Sequence, residues 1–176
     1  MKTYKTNIKG LILIKKKSYF DKRGHFYESY NNKIYAKIGV DSKFQQDNFS
    51  FSKKNVLRGL HYQKKNPQGK LVSVVKGAIL DVAVDIRKSS KTYGKYQAFI
   101  LSEENSKQLW VPKNFAHGFL ALSSNCIVNY KCTDYYDPAD QNTILWNDKD
   151  LNINWPIKKP LTSEQDARGT LFKDIS

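Results

Sequence analysis

Leu71-Val72-Ser73-Val74-Val75-Lys76-Gly77-Ala78-Ile79-Leu80-Asp81-Val82-Ala83-Val84-Asp85-Ile86 is the stretch that decides the fold class. Two strand-length runs of β-branched and aliphatic residues flank Lys76-Gly77, a pair that reads as a turn. Within the second run the side chains alternate. Leu80, Val82, Val84 and Ile86 share one face, while Asp81, Ala83 and Asp85 share the other. A face with two carboxylates either meets solvent or lines a polar cavity. Working outward, apolar runs at 96–101, 108–111, 115–122 and 127–130 recur at close spacing with turn residues between them. That spacing predicts an all-β sandwich or barrel rather than βαβ units. Helix is sparse: 31–38 has room for two turns, and Ser163 reads as the N-cap of a short helix. The last ten residues read as a poorly specified tail.

A length of 176 residues suits one domain, and no repeat or linker divides it. Aromatics at 13%, mostly Tyr and Phe, agree with half-buried sheet surfaces. The net charge of +14 invites a polyanion-binding reading. Against it, only Arg23, Arg58, Arg87 and Arg168 are arginines, and Arg is the usual reader of bases and phosphates. We therefore expect no nucleic-acid partner, and Lys15-Lys16-Lys17 reads as a solvated edge. The longest apolar run near the start, 10–14, is far too short for a membrane span. Cys126 and Cys132 lie about 20 Å apart along one extended run, so both are expected reduced and buried, as in a cytoplasmic protein. The three histidines are scattered, with no His-x-His or Cys-x-x-Cys pair, and no metal site is expected.

The segment Val56 to Val72 places Arg58, His61 and Lys70 within thirteen residues. Read as two adjacent antiparallel strands, it brings His61 close to Lys70. An imidazole suits proton abstraction near neutral pH, and an ammonium suits stabilising an oxyanion. Strict alternation would put Arg58 and His61 on opposite faces, so a bulge at Gly59 is expected if both serve one pocket. In 126–132 the same alternation turns Cys126, Val128, Tyr130 and Cys132 inward.

These residues carry a family resemblance. Arg58-Gly59-Leu60-His61-Tyr62-Gln63, Gln68-Gly69-Lys70-Leu71-Val72, Phe115-Ala116-His117-Gly118-Phe119-Leu120 and Tyr130-Lys131-Cys132-Thr133-Asp134-Tyr135-Tyr136 resemble the dTDP-4-dehydrorhamnose 3,5-epimerase family, with Gln46-Asp47-Asn48 and Asp21-Lys22-Arg23-Gly24 in consistent order. The resemblance implies an all-β, cupin-type jelly roll (double-stranded β-helix) with short peripheral helices. It also implies a homodimer that exchanges an N-terminal segment, a nucleotide-sugar substrate and no cofactor. By resemblance His61 is the general base, Asp166 orients it, Lys70 stabilises the enolate and Tyr130 donates the proton. Ligand contacts carry over to Arg23, Glu28, Gln46, Asp47, Asn48, Arg58, Lys70, His117 and Tyr136. Gln141 and Gln165 depart from the family's usual Glu and Lys. Two plainer readings stay open: Asp166 completing a capping box with Ser163, and His117 closing a turn before Gly118. A single-centre epimerase or ketoisomerase is the alternative within the class.

Overall fold

The computed structural model describes residues 1–40 and 43–175. Thirteen strands follow in order: β1 (Lys2–Tyr4), β2 (Ile12–Lys15), β3 (Ser18–Asp21), β4 (Gly24–Tyr27), β5 (Gln46–Ser52), β6 (Leu57–Gln63), β7 (Lys70–Lys76), β8 (Ala78–Asp85), β9 (Tyr96–Ser102), β10 (Lys107–Val111), β11 (Phe115–Ala121), β12 (Cys126–Cys132) and β13 (Gln141–Thr143). Helix is confined to α1 (Asn32–Ala36), α2 (Glu164–Ala167) and a 3₁₀ turn, Phe172–Asp174. Asn31 and Ser163 cap the two α-helices, each accepting a backbone N–H from three residues on.

Two antiparallel sheets face each other as a jelly roll. One has the order β1-β2-β10-β7-β12-β5 and the other β13-β6-β11-β8-β9, with β3 and β4 forming a separate hairpin. Alternation along the strands divides the apolar side chains among three cores. Val72, Val74, Ala83, Leu109, Phe115, Phe119 and Val128 fill the space between the sheets. Behind the second sheet, Val82, Val84, Leu57 and Leu120 pack under Leu151 and Trp155 of the C-terminal segment. Behind the first, Leu71 and Trp110 pack against Tyr35 of α1. The two-carboxylate face of β8 thus points inward, and Asp81 and Asp85 are fully buried. Among the described residues no helix is long and apolar enough to cross a membrane.

Three expectations need correction. First, β6 and β7 do not pair. β6 lies between β13 and β11, and β7 between β10 and β12, so the loop 64–69 carries the chain from one sheet to the other. Gly77, at φ 80°, turns it back, which is why Leu71 to Ile86 is a crossover and not a hairpin. Second, the C-terminal residues are fastened. Thr170 bridges Ile144 in parallel, and the Asp148 carboxylate accepts the Phe172 N–H at 2.9 Å. Backbone bonds of this kind leave no periodic signature in the sequence.

Third, Lys16 is buried while Lys15 and Lys17 are exposed. Its Nζ lies 3.6 Å from the centroid of the Tyr27 ring, and burial lowers its pKa to about 8. The folded-state value lies below the unfolded one, so charged Lys16 opposes folding at neutral pH. That opposition fades as pH rises from about 8 towards 10.5. The shift is equivalent to about 3 kcal/mol, of which the cation–π contact offsets about 1–2. Lys16→Met should therefore stabilise the protein at pH 7 by about 1–2 kcal/mol. Urea unfolding at pH 7 and pH 10 checks this, and the gain should shrink at the higher pH.

Candidate active site

His61, Lys70 and Tyr130 line one cavity of about 270 Å³ between the sheets. Each arrives from a different strand, β6, β7 and β12 respectively. The closeness of His61 and Lys70 expected from the sequence is therefore real, but it spans the interior and not a strand ladder.

The bulge at Gly59 is present. His117 pairs with His61 and Phe119 with Arg58, so two residues of β6 stand opposite one of β11. Gly59 has φ 125°, and a Cβ there would lie 2.5 Å from the Gly118 Cα. Only glycine fits that approach. With the bulge in place, Arg58 reaches the opposite sheet, donating from Nε to Ser52 Oγ at 3.1 Å and from Nη2 to the Phe51 carbonyl at 3.2 Å.

Asp166 reaches His61 from the far end of the chain. The parallel bridge between Val56 and Leu161 lays the C-terminal segment beside the start of β6. Ser163 Oγ then accepts the Asp166 N–H at 3.1 Å, and the Asp166 carboxylate, almost wholly buried, meets His61 Nε2 at 2.5 Å. The N-cap is Ser163, yet the carboxylate goes to the imidazole and not back to the cap. Donation of Nε2–H to Asp166 leaves the Nδ1 lone pair of His61 free as a base.

Lys70 opens β7, where Gly69 and Thr133 hold each other: the Gly69 N–H donates to Thr133 Oγ1 at 2.8 Å, and the Thr133 N–H to the Gly69 carbonyl at 3.0 Å. Burial pushes the Lys70 ammonium below its usual pKa, against the opposing pull of Cys132 and Asp81. Burial likewise pushes the Tyr130 phenol up, with Arg58 acting in the opposite direction. A phenol held protonated beside a half-buried imidazole can give a proton where the imidazole takes one.

The rim is polar. Gln46 Nε2 donates to Asn48 Oδ1 at 2.8 Å, and the Tyr136 N–H donates to Gln46 Oε1 at 2.7 Å. Gln46, Asn48 and Tyr136 all line the cavity, as do Gln68, Gln141 and Gln165, which the sequence reading did not place among the ligand contacts. Gln141 and Gln165 stood out there only as departures.

Five expected contacts are outside the cavity lining in this chain: Arg58, exposed and bonded to β5 as above, and four that lie further off. Asp47 points to the outer face of β5, where it takes Lys131 Nζ at 2.6 Å. His117 sits in mid-strand and not at a turn, buried and bonded through Nε2 to Asp81 Oδ1 at 2.8 Å. Arg23 is 84% exposed at the tip of the β3–β4 hairpin, paired with Asp21. Glu28 is exposed beyond β4, accepting from Asn31 Nδ2 at 3.2 Å. Alternation and strand order, which a motif does not carry, separate these four from the cavity.

A jelly roll whose interior brings together an imidazole–carboxylate pair, an ammonium and a phenol defines an acid–base isomerase of the carbohydrate epimerase type. Comparison with known proteins narrows the class. The sequence model of dTDP-4-dehydrorhamnose 3,5-epimerase matches residues 5–174, and the chain belongs to that family. The chain is 51% identical to the dTDP-4-dehydrorhamnose 3,5-epimerase of Methanothermobacter thermautotrophicus, over 88% of this chain and 83% of the relative. It superposes with a TM-score of 0.96 on the Legionella pneumophila dTDP-6-deoxy-D-glucose-3,5-epimerase in complex with dTDP-4-keto-L-rhamnose, at 48% identity over 99% of this chain and 94% of that one. A 3'-monoepimerase from Streptomyces bikiniensis, in complex with dTDP-quinovose, shares the fold at a TM-score of 0.90 and 29% identity, over 96% and 86% of the two chains.

Gly59→Ala should cost about 3 kcal/mol or more, since it adds both a clash and an unfavourable φ. Urea unfolding measures the loss, and the activity of the folded fraction should fall as well.

Proposed function

We propose that the chain catalyses 3,5-epimerisation of dTDP-4-dehydro-6-deoxy-D-glucose to dTDP-4-dehydro-L-rhamnose. The observation that carries this reading is the convergence of His61, backed by Asp166, with Lys70 and Tyr130 on one cavity. The C4 ketone acidifies the hydrogens at C3 and C5. His61 Nδ1 takes one of these protons, and the C–H electrons form a C–C double bond and push charge onto O4. Lys70 stabilises that enolate oxygen. Tyr130 then protonates the same carbon from the opposite face, the ketone re-forms and the centre is inverted. The steps need only a base, an acid and a cation at O4, so side chains suffice and no cofactor is invoked.

A cavity of about 270 Å³ suits the sugar ring. The nucleotide then lies outside, across exposed Tyr136 and the Arg58 guanidinium, whose fork suits a diphosphate. Arg23 and Glu28 serve the site of a second subunit, in a homodimer that exchanges the N-terminal hairpin. Exposed Tyr19, Phe20 and Phe26 on that hairpin support this arrangement. Asp47 and His117 act behind the cavity wall, in support of Lys131 and Asp81 respectively. Two buried free thiols suit a reducing compartment, the cytoplasm.

Proton NMR in D₂O tests the reaction. Wild-type protein should exchange both the C3 and C5 hydrogens. Exchange at one carbon would make it a single-centre epimerase, like the 3'-monoepimerase from Streptomyces bikiniensis. No exchange, together with salt-dependent binding to polyanions, would favour the basic surface as the working part. His61→Ala should lower the rate by about 10²–10⁴-fold with the fold intact by circular dichroism. Tyr130→Phe should still return deuterated substrate, because abstraction survives while inversion does not.

Subunit complementation tests the exchange. His61→Ala and Arg23→Ala proteins, each impaired alone, should regain activity when mixed and refolded together, since one site of the mixed dimer has both residues. Activity no greater than the sum of the two would rule exchange out.

A further inference from the structure

One nucleophile beside the cavity takes no part in the epimerisation. Cys132 closes β12, and the strand register sets it directly opposite Lys70, which opens β7. Directly opposed residues of an antiparallel pair share a face, with their Cβ atoms about 4.5–5.5 Å apart. A lysine side chain crosses that gap with length to spare. Among the described residues the Lys70 side chain makes no hydrogen bond or ion pair that would hold it elsewhere. Cys132 is fully buried, and its Sγ accepts from Asn48 Nδ2 at 3.6 Å. Asn48 and Lys70 both line the cavity, so the sulfur lies just behind the cavity wall. Cys126, the other buried thiol, has no such neighbour: it stands opposite Ser52 and donates to the Ala78 carbonyl at 3.1 Å.

We propose that Lys70 and Cys132 are a modification site: a peroxide entering the cavity oxidises the thiol, and the lysine then closes a covalent sulfur–nitrogen bond across the strand pair. Burial favours the amine form of Lys70, and the charge of Lys70 in turn draws the thiol towards thiolate, so the pair carries its own base. In the first step the Cys132 sulfur attacks one peroxide oxygen, the O–O bond breaks, and the departing hydroxide leaves with the thiol proton as water. A sulfenic acid remains. In the second step the Lys70 nitrogen attacks that sulfur, the S–O bond breaks, and hydroxide leaves with an amine proton as a second water. The sulfur has lost two electrons and the peroxide has gained them. The product is a sulfenamide with no charge on nitrogen, so the site loses its cation. A dithiol reverses it by attacking the sulfur, releasing first the amine and then the thiol, and ending as its own disulfide. The bond stands on the strand register alone, whereas its effect on turnover rests on the assignment of Lys70 to the enolate oxygen.

The test treats the whole protein with hydrogen peroxide, digests it with trypsin without reductant and maps the peptides by mass spectrometry. The expected product is one peptide pair joined through Lys70 and Cys132, lighter than the two separate peptides by two hydrogens, with no cleavage after Lys70. Activity on dTDP-4-dehydro-6-deoxy-D-glucose should fall by about tenfold or more and return with dithiothreitol, as the cation at O4 is lost and regained. Cys132→Ala should keep its activity through the same treatment, and Cys126→Ala should behave like the wild type. The wild-type peptide map decides the matter even if Cys132→Ala does not fold. Untouched Cys132, or Cys132 carrying only oxygen while trypsin still cuts after Lys70, would overturn the modification site. Equal loss of activity in Cys132→Ala and wild type would overturn its control of turnover. A joined peptide pair with activity unchanged would leave the bond standing and overturn instead the role given to Lys70 in the epimerisation.

Discussion

Everything at the site depends on how closely β6 and β11 approach at Gly59 and Gly118. Their backbones leave no room for a Cβ, and the extra residue of the bulge reverses the alternation of β6 between Arg58 and His61. A regular strand would offer either the guanidinium or the imidazole to the interior. The bulged strand sets the exposed Arg58 against β5 at the edge of the gap and still leaves His61 on the cavity wall. Local geometry thus decides which chemistry the sheet can display.

Around that bulge the interior carries several polar groups. Lys70, Asp81, His117 and Cys132 lie within or beside the same gap, and one oxygen of Asp81 has no hydrogen-bond partner. Burying an ammonium disfavours its charged form, and burying a carboxylate with an orphan oxygen carries its own penalty. The large apolar clusters on both outer faces, with Trp155 on one side and Trp110 on the other, supply the stability that such an interior consumes. The layer between the sheets holds both the site and an apolar core of its own, and the outer clusters add to it.

Strands β6 to β12 were legible in the sequence because alternation and apolar runs are local properties, while the short β1 to β4, β5 and β13 were not singled out. The inward face of β12, the two short helices and the Gly59 bulge were legible as well. Partnership between strands was not legible. Val56 to Val72 looks like a hairpin because nothing in it records that the loop crosses from one sheet to the other. Lys16 was hidden for a similar reason: its cover, Tyr27, belongs to a hairpin whose position no periodicity reveals. The motifs found His61, Lys70, Tyr130, Gln46 and Asn48 on strands that face the cavity, and Tyr136 on the loop that follows β12. Arg23 and Glu28 lie on a segment that leaves the body of the fold, and Asp47 faces outward by alternation. Gln68 was quoted within a motif without a role, and Gln141 and Gln165 stood out only as departures, so none of the three was placed at the cavity.

The bond between His61 and Asp166 joins positions 105 residues apart. Both sheets are complete by the end of β13, at Thr143, well before the carboxylate has been added to the chain. During synthesis the sandwich can therefore close with His61, Lys70 and Tyr130 already assembled and the imidazole still unoriented. The base is set only after residue 166 has joined the fold. Without α2 the cavity would keep its imidazole, ammonium and phenol and lose the carboxylate that fixes the ring.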